Sequence, residues 1–514
     1  MQFPKRDCRS GLLFLSCLVC CIALEAAAAP TSWPTADWQT STPEEQGMSS
    51  NALAELVEFG ANNAMDSLLV VRHGRIVVET YYAPFGPGLK HVINSSTKAV
   101  VGTLAGIAFK EGALGPLDQR VIDLFPERTI ANLDANKRAM TLDSLLDMTS
   151  GLDWREPLTN APPETMLQME RSRDWVGFIL DRPMAQAPGL AFDYDSGTWH
   201  LLSAILEKKT RMSTANYAKQ KLFTPLGISD VYWRQDPQGI STGGYGLFMH
   251  PRDMAKIGYL YLHDGKWAGQ QIMPASWVDK VYHASVDMRI GTTPTFRYAN
   301  GWWTIPEKRA YMAVGFLRQL IVVLPDVDMV VVVTGKKHYP FGPLIDKATA
   351  AAKSDSPLPT DAAGGARLAG VLKDAAIEKP SEVSPPSPLA QTISGKPYRF
   401  GPNTFGVRSL MLDLVSPTPT YELLLDRSGA GHPDLQVSGP LGLDGYFRTA
   451  GNGIDQLRGV KGRWLTETSF QIVSRSILEG IVTTSTLNFH GEQVDVEIED
   501  NRGVRGHLRG DLTN

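Results

Sequence analysis

Apolar and polar positions alternate with period two at both ends of the first 350 residues and recur at three and four in between. Ser67–Val71 and Arg75–Tyr82 are β-rich runs joined by Arg72-His73-Gly74, which predicts a hairpin. Asn94–Lys98 then leads into AVVGTLAGIAFKEG, small and aliphatic nearly all round, as expected of a buried helix over 95–112 that stops at Gly112. Thr141–Met148 has helical leucine spacing, a short amphipathic piece lies at Asp174–Leu180, and Gly197–Lys209 and Met254–His263 read as further helices. Two strands come late, Gln319–Leu324 and Met329–Thr334, turned by Pro325-Asp326-Val327-Asp328. Strands at both ends with a helical insert between them predict an α+β arrangement and not repeated βαβ units. Around 352–390 Ser, Pro, Ala and Asp take over, a linker-like composition with a helical interlude near Ala366–Ile377. Beyond it, Leu410–Leu414, Tyr421–Leu425, Phe470–Val473, Thr486–Phe489 and Val494–Ile498 alternate between Gly-rich turns, so 391–514 reads as a small antiparallel barrel or sandwich.

The 514 residues are too many for one ordinary domain. A formal net charge of −4, without a dense Lys/Arg run, argues against a nucleic-acid partner. The N-terminus changes the picture more. Lys5, Arg6 and Arg9 precede an apolar run over Gly11–Leu24, and Ala26–Ala29 supplies small residues before Pro30. That is the grammar of a secretory signal cleaved near Ala29, giving a periplasmic or secreted protein with no stable membrane span. All four cysteines (Cys8, Cys17, Cys20 and Cys21) fall inside this segment. A mature chain would have no disulfide and no thiol chemistry. The expected division is a signal over 1–29, a catalytic domain over 30–351, a linker over 352–390 and a barrel over 391–514.

Ser95 is the only serine followed by a lysine three residues later. On a helix the two side chains share a face, so the Lys98 amine reaches the Ser95 hydroxyl. Serine is a weak nucleophile and needs such a base, and the helix start favours developing negative charge. Alone the motif is weak, because Ser and Thr crowd helix starts for capping reasons. Three further segments occur in order: Leu145–Leu152 (LLDMTSGL), Pro188–Gly197 (PGLAFDYDSG) and Ala313–Gln319 (AVGFLRQ).

This ordered set resembles the serine β-lactamase and penicillin-recognising superfamily, in its class C-like branch with esterases and 6-aminohexanoate-dimer hydrolases. Phe223–Ile228, Gly243-Gly244-Tyr245-Gly246 and Asn300-Gly301-Trp302-Trp303 are lesser echoes, and the C-terminal segment resembles an appended lipocalin-like barrel. The resemblance covers roughly residues 40–350. It implies an antiparallel sheet flanked by helices with an all-helical subdomain, no cofactor, and a small-molecule amide or ester as substrate. It implies Ser95 as acylated nucleophile, Lys98 as its partner and Tyr194 as general base and acid, amine and phenol lowering each other's pKa. It puts the oxyanion hole at the Ser95 and Phe316 amides. Gly315 stands where a side chain would meet substrate, and Ser196 replaces the usual asparagine beside it.

The departures bear on substrate. Ala313 replaces the Lys or His that grips the carboxylate of penicillins in true β-lactamases, which demotes lactamase activity. Arg318 stands where relatives carry glycine and has an anionic substrate group or open solvent as its options. Trp154, Trp199, Trp302 and Trp303 are core candidates by default, with Trp303 the choice for a substrate pocket. Gly239–Gly243 (GISTG) fits the nucleophile-elbow pattern, with His250 and Asp253 as imaginable partners. It lacks the strand before and the helix after that such an elbow needs, so Ser241 is set aside. No His-x-x-x-His spacing suggests a metal. The remaining alternatives are a β-lactamase or D-Ala peptidase acting on peptidoglycan-type substrates, and a penicillin-recognising sensor that is acylated without turnover. Oligomeric state is left open.

Overall fold

In the computed structural model, which describes residues 33–158, 163–290, 295–426, 433–454 and 456–513, the alternating segments pair into two large sheets. The signal-peptide reading and its four cysteines lie outside the described residues. The first sheet has nine strands in the order Gln39–Thr40, Arg75–Tyr81, Met65–Arg72, Met329–Gly335, Gln319–Leu324, Ala310–Gly315, Trp302–Ile305, Arg297–Ala299 and Val286–Asp287. Every pairing is antiparallel except the first. The hairpin at 72–75 turns through His73 and Gly74, both at positive φ (48° and 72°), as a tight turn between right-twisted strands demands. Met65–Arg72 and Met329–Gly335 are buried along their whole length, which explains their unbroken aliphatic runs.

Helices cover both faces of this sheet. Trp302 and Trp303 are neighbours on one strand and therefore point to opposite sides. Trp302 meets Tyr261 of the Pro251–Leu262 helix, centroids 4.2 Å apart, whereas Trp303 meets Phe341, the first residue of the Phe341–Ala351 helix, at 6.0 Å. The Thr97–Lys110 helix lies on the Trp302 side, where Thr103 hydrogen-bonds the Tyr261 hydroxyl at 3.1 Å. Thr97–Ala108 are all buried, hence the run of small and aliphatic residues. On the side of that helix away from the sheet lies the helical insert, with Leu142–Leu146, closed by a Thr141/Ser144 capping box, and Ser196–Thr210.

Asp361 caps a helix at Ala362–Ala375 that packs against Ser50–Asn62, with Asn51 Nδ2 donating to Asp361 at 3.0 Å. The linker-like composition of 352–390 therefore holds a docked helix, at the interlude read near Ala366–Ile377: Leu368 is buried, with Val371, Leu372 and Ala375 packed beside it.

The second sheet has ten antiparallel strands, in the order Leu435–Pro440, Thr420–Leu425, Val407–Asp413, Pro397–Phe400, Arg505–Leu512, Gln493–Asp500, Ile481–His490, Ser469–Ser476, Arg458–Trp464 and Arg448–Ala450. It curls into a nearly closed barrel around Tyr398, Phe470, Leu487, Phe489 and Val494. Among the described residues no helix is long and apolar enough to cross a membrane.

Gly102 sits where the Thr97–Lys110 helix crosses the 300–301 turn. An added Cβ would come within 2.2 Å of the Asn300 carbonyl oxygen. Because that neighbour is backbone, Gly102→Ala is expected to cost about 1–3 kcal/mol, measured as a lower urea midpoint at unchanged m-value.

Candidate active site

Ser95 is the middle residue of a 3₁₀ turn, Asn94–Ser96, that runs directly into the Thr97–Lys110 helix. The expected single helix from 95 thus begins with a tighter turn, and no side chain caps it. The turn is pinned from several directions. Ile93 N donates to Leu247 O at 2.8 Å and Ser96 Oγ to Gln319 O at 2.8 Å. Asn94 adopts the left-handed conformation (φ 47°), tolerable for asparagine, and its Nδ2 reaches Phe316 O at 3.0 Å. The nucleophile candidate is therefore tied to the Ala310–Gly315 strand and the hairpin beyond it.

Lys98 is 2% exposed. Its ammonium has three N–H donors and three acceptors around it: Ser95 Oγ at 3.0 Å, Ser196 Oγ at 2.9 Å and the Gly244 carbonyl at 2.8 Å. Burial lowers its pKa to about 8, against the opposing pull of Glu156 and Asp195. Near neutral pH a substantial minority of molecules carries the free amine. In that form the same geometry lets nitrogen accept the Ser95 proton while still donating to Ser196 and Gly244.

Tyr194 lies against this pair, its ring centroid 4.9 Å from Lys98 Nζ and its hydroxyl near enough to Ser95 to feel it. The expectation that the phenol titrates near neutrality is not met. Burial pushes its pKa well up, Glu156 adds to this, and only the neighbouring Ser95 hydroxyl works downward. The amine, not the phenol, is the group poised near neutral pH.

Ser196 opens the Ser196–Thr210 helix, capped by Asp195, whose side chain accepts from Thr198 N at 3.0 Å. Burial raises the Asp195 carboxyl well above its usual range. Ser196 Oγ donates to Glu156 Oε1 at 2.6 Å, and its amide to Glu156 Oε2 at 2.8 Å, which also receives Trp154 Nε1 at 2.8 Å. Glu156 went unmarked in the sequence. It is a lone acid in an irregular stretch, and only its contact with Ser196, forty positions away, makes it part of the site.

Gly315 is required by the backbone packed against it. A Cβ there would lie 2.3 Å from the Ile93 carbonyl oxygen, so the chain leading to Ser95 by itself requires glycine here. Among the described residues the Ser95 and Phe316 amides donate to no backbone acceptor. Phe316 follows Gly315, its ring 41% exposed and edge-on to His338 at 4.9 Å. Leu317 and Arg318 both hold positive φ (59° and 69°), a conformation that costs roughly 1–2 kcal/mol per non-glycine residue. Arg318 stabilises the turn: Nε donates to Tyr339 O at 2.6 Å and the guanidinium stacks on Phe341 at 4.0 Å. Gln319 closes it with Nε2 on Phe316 O at 3.2 Å and Gly335 O at 2.8 Å. Arg318 is thus a clamp on the turn, which corrects its reading as a substrate contact. Trp303 is corrected likewise, since it shares the Phe341 ring on the sheet face turned away from the Thr97–Lys110 helix.

Ala313 is fully buried, and Ser241 is buried with its hydroxyl accepting from Ala215 N at 3.3 Å. His250 pairs with Asp230 at 2.9 Å and not with Asp253.

The barrel reaches the same region. Val92 N donates to Leu478 O at 2.8 Å, and Ile477 and Leu478 pack with Phe85, Val92 and Phe248. Buried Asp66 accepts from Arg475 at 2.5 Å and Lys336 at 2.8 Å, with His91 Nε2 at 3.1 Å. Burial works to raise its pKa, but these cations outweigh it and hold the carboxyl well below the usual range. Arg234, beside the 243–246 loop, pairs with Glu479 at 2.8 Å.

Residues 55–355, well over half of the chain, match the family model described as Beta-lactamase. The chain belongs to the β-lactamase family. A 6-aminohexanoate-dimer hydrolase of Paenarthrobacter ureafaciens is 24% identical over 309 residues, covering 57% of this chain and 78% of that protein. Protein flp of Staphylococcus aureus (strain MW2) is 25% identical over 177 residues, 33% of this chain and 34% of the other. Among solved structures, EstCE1, a hydrolase with promiscuous acyltransferase activity, aligns with a TM-score of 0.50 at 16% identity, over 59% of this chain and 99% of that one; the likeness is one of fold. In this β-lactamase-family chain the Ser-x-x-Lys serine and the tyrosine expected from the sequence meet around one buried amine, and the strand glycine packs against the residue two before that serine.

The ionisation of that amine is directly measurable. Nitrogen-detected NMR of the Lys98 side chain is expected to give a titration near pH 8. Glu156 raises the Lys98 pKa, so Glu156→Gln is expected to move the midpoint to lower pH. An unmoved or higher midpoint contradicts the electrostatic assignment.

Proposed function

We propose that this chain is an exported serine hydrolase that cleaves small amides or esters through an acyl-enzyme at Ser95. The observation that carries the reading is the desolvated Lys98 amine 3.0 Å from the Ser95 hydroxyl, with its pKa lowered to about 8. In its neutral form Lys98 takes the Ser95 proton as Oγ attacks the substrate carbonyl carbon. The resulting oxyanion is held by the Ser95 and Phe316 N–H groups, which among the described residues donate to no backbone acceptor. Collapse expels the amine or alcohol, which takes a proton from the Tyr194 hydroxyl, and Lys98 returns its proton to Tyr194. A high phenol pKa suits this role, since the group stays protonated until the leaving group needs it. Water then repeats the sequence on the acyl-enzyme.

The substrate class follows from what the strand lacks. Ala313 offers a methyl group where penicillin carboxylates would need a cation, and Arg318 is engaged with Tyr339 and Phe341. A substrate without a carboxylate at this position fits better. Export rests on the basic, apolar and small-residue order of residues 1–29. It predicts a mature chain beginning near Pro30, checked by intact mass of protein recovered from the producing cell.

Incubation with a fluorophosphonate is expected to give a single adduct that maps to Ser95. Ser95→Ala should lose at least about a thousandfold in activity, while Ser241→Ala stays near wild type. Adduct formation on Ser241 overturns the proposal. Short p-nitrophenyl esters should turn over much faster than nitrocefin, and the reverse ranking defeats the substrate assignment. Acylation should accelerate as pH rises through about 8, because the free amine is the reactive form.

A further inference from the structure

Lys98 has to lose a proton before it can act as a base, yet at 2% exposure it hardly meets water. Its pKa of about 8 means that most molecules hold the ammonium at neutral pH. Of its three acceptors only one can hand the proton on. The Gly244 carbonyl has no proton to exchange, and Ser95 Oγ is the reacting atom. Ser196 Oγ accepts from Lys98 Nζ at 2.9 Å and itself donates to Glu156 Oε1 at 2.6 Å. A hydroxyl can take one proton while giving up another; an asparagine at 196 could bond both neighbours but pass nothing on.

Exposure rises along this line. Lys98 and Ser196 are buried, and Glu156 is half-buried. Glu156 Oε2 is fixed by the Ser196 amide and by Trp154 Nε1, both at 2.8 Å, which keeps Oε1 on the hydroxyl. The other titratable groups that feel its charge are the Asp193, Asp195 and Glu170 carboxyls and the Tyr194 and Tyr245 phenols.

We propose that Lys98 discharges its proton to solvent through Ser196 and Glu156, and that this relay limits turnover near neutral pH. It rests on the Ser95 reading above. One N–H bond of the Lys98 ammonium breaks as its proton joins Ser196 Oγ, and the Ser196 O–H proton passes to Glu156 Oε1. Amine and carboxylic acid result, and the acid gives its proton to water. Glu156 acts only through Ser196 and touches no substrate atom.

The sign of one substitution separates a relay from plain electrostatics. Glu156→Gln keeps an oxygen for the Ser196 hydroxyl but cannot take the proton. Acting through charge alone, the change would lower the Lys98 pKa, enlarge the free-amine fraction and speed turnover of a p-nitrophenyl ester at neutral pH. The relay instead predicts a kcat at least about tenfold lower there, with the loss shrinking as pH rises above about 8. Ser196→Ala should show the same pH-dependent loss, and Ser196→Thr, which keeps a hydroxyl, should lose less. Fluorophosphonate labelling of Ser95 well above that pH checks that each variant is folded. An unchanged or higher kcat in Glu156→Gln, a loss independent of pH, or equal losses in Ser196→Ala and Ser196→Thr each overturns the relay. Activity retained in Ser95→Ala is a separate failure, that of the acyl-enzyme reading itself.

Discussion

A buried lysine ammonium is the constraint on which the site depends. Lys98 has three N–H donors, and Ser95, Ser196 and the Gly244 carbonyl meet all three at 2.8–3.0 Å. These acceptors come from the start of one helix, the start of another and a glycine-rich loop nearly 150 positions away. Leaving any donor unmet would cost the desolvation of a charged group, so the three segments hold one another in register. Burial alone can carry a lysine down to a pKa of about 5–6. Here Glu156 and Asp195 work upward against it, and the balance stands at about 8, where amine and ammonium coexist near neutral pH.

The backbone around Ser95 obeys a second set of fixed contacts. Gly315 lets the Ala310–Gly315 strand approach Ile93 more closely than any side chain permits. The two left-handed residues after Phe316 are held by Arg318 on Phe341 and by the Gln319 amide. Strain in the turn is thereby offset by contacts of the residues after Phe316, and among the described residues the Phe316 amide donates to no backbone acceptor. The barrel supports the same chain from behind, through Leu478 on Val92 and Arg475 on Asp66. Its connection to the catalytic region is thus a packed, ion-paired seam as well as a linker.

Much of this was legible in the chain. Period two and aliphatic runs marked the hairpin at 65–81, the strands at 319–335 and the barrel, because each strand's burial pattern is written in its own residues. The spacing of Ser95 and Lys98, the Pro-Gly before Tyr194 and the glycine after Val314 pointed to one constellation, since a local backbone requirement leaves a local mark. The helix at 362–375 was read as an interlude near Ala366–Ile377, but its docking against Ser50–Asn62 was not, because a packing partner about 300 positions away leaves no local mark.

Contacts between distant segments decided the rest. Glu156 has no motif and acts through Ser196; the phenol of Tyr194 rises instead of falling because burial outweighs its neighbours. Trp303 and Arg318 look like pocket residues in sequence, yet the alternation of strand faces and a nearby Phe341 turn both to other work. Chain order determined which groups exist and which secondary structure carries them. Only folding fixed which of them share a dry environment, and charge, proton affinity and hydrogen-bond partners depend on that environment through desolvation and distance.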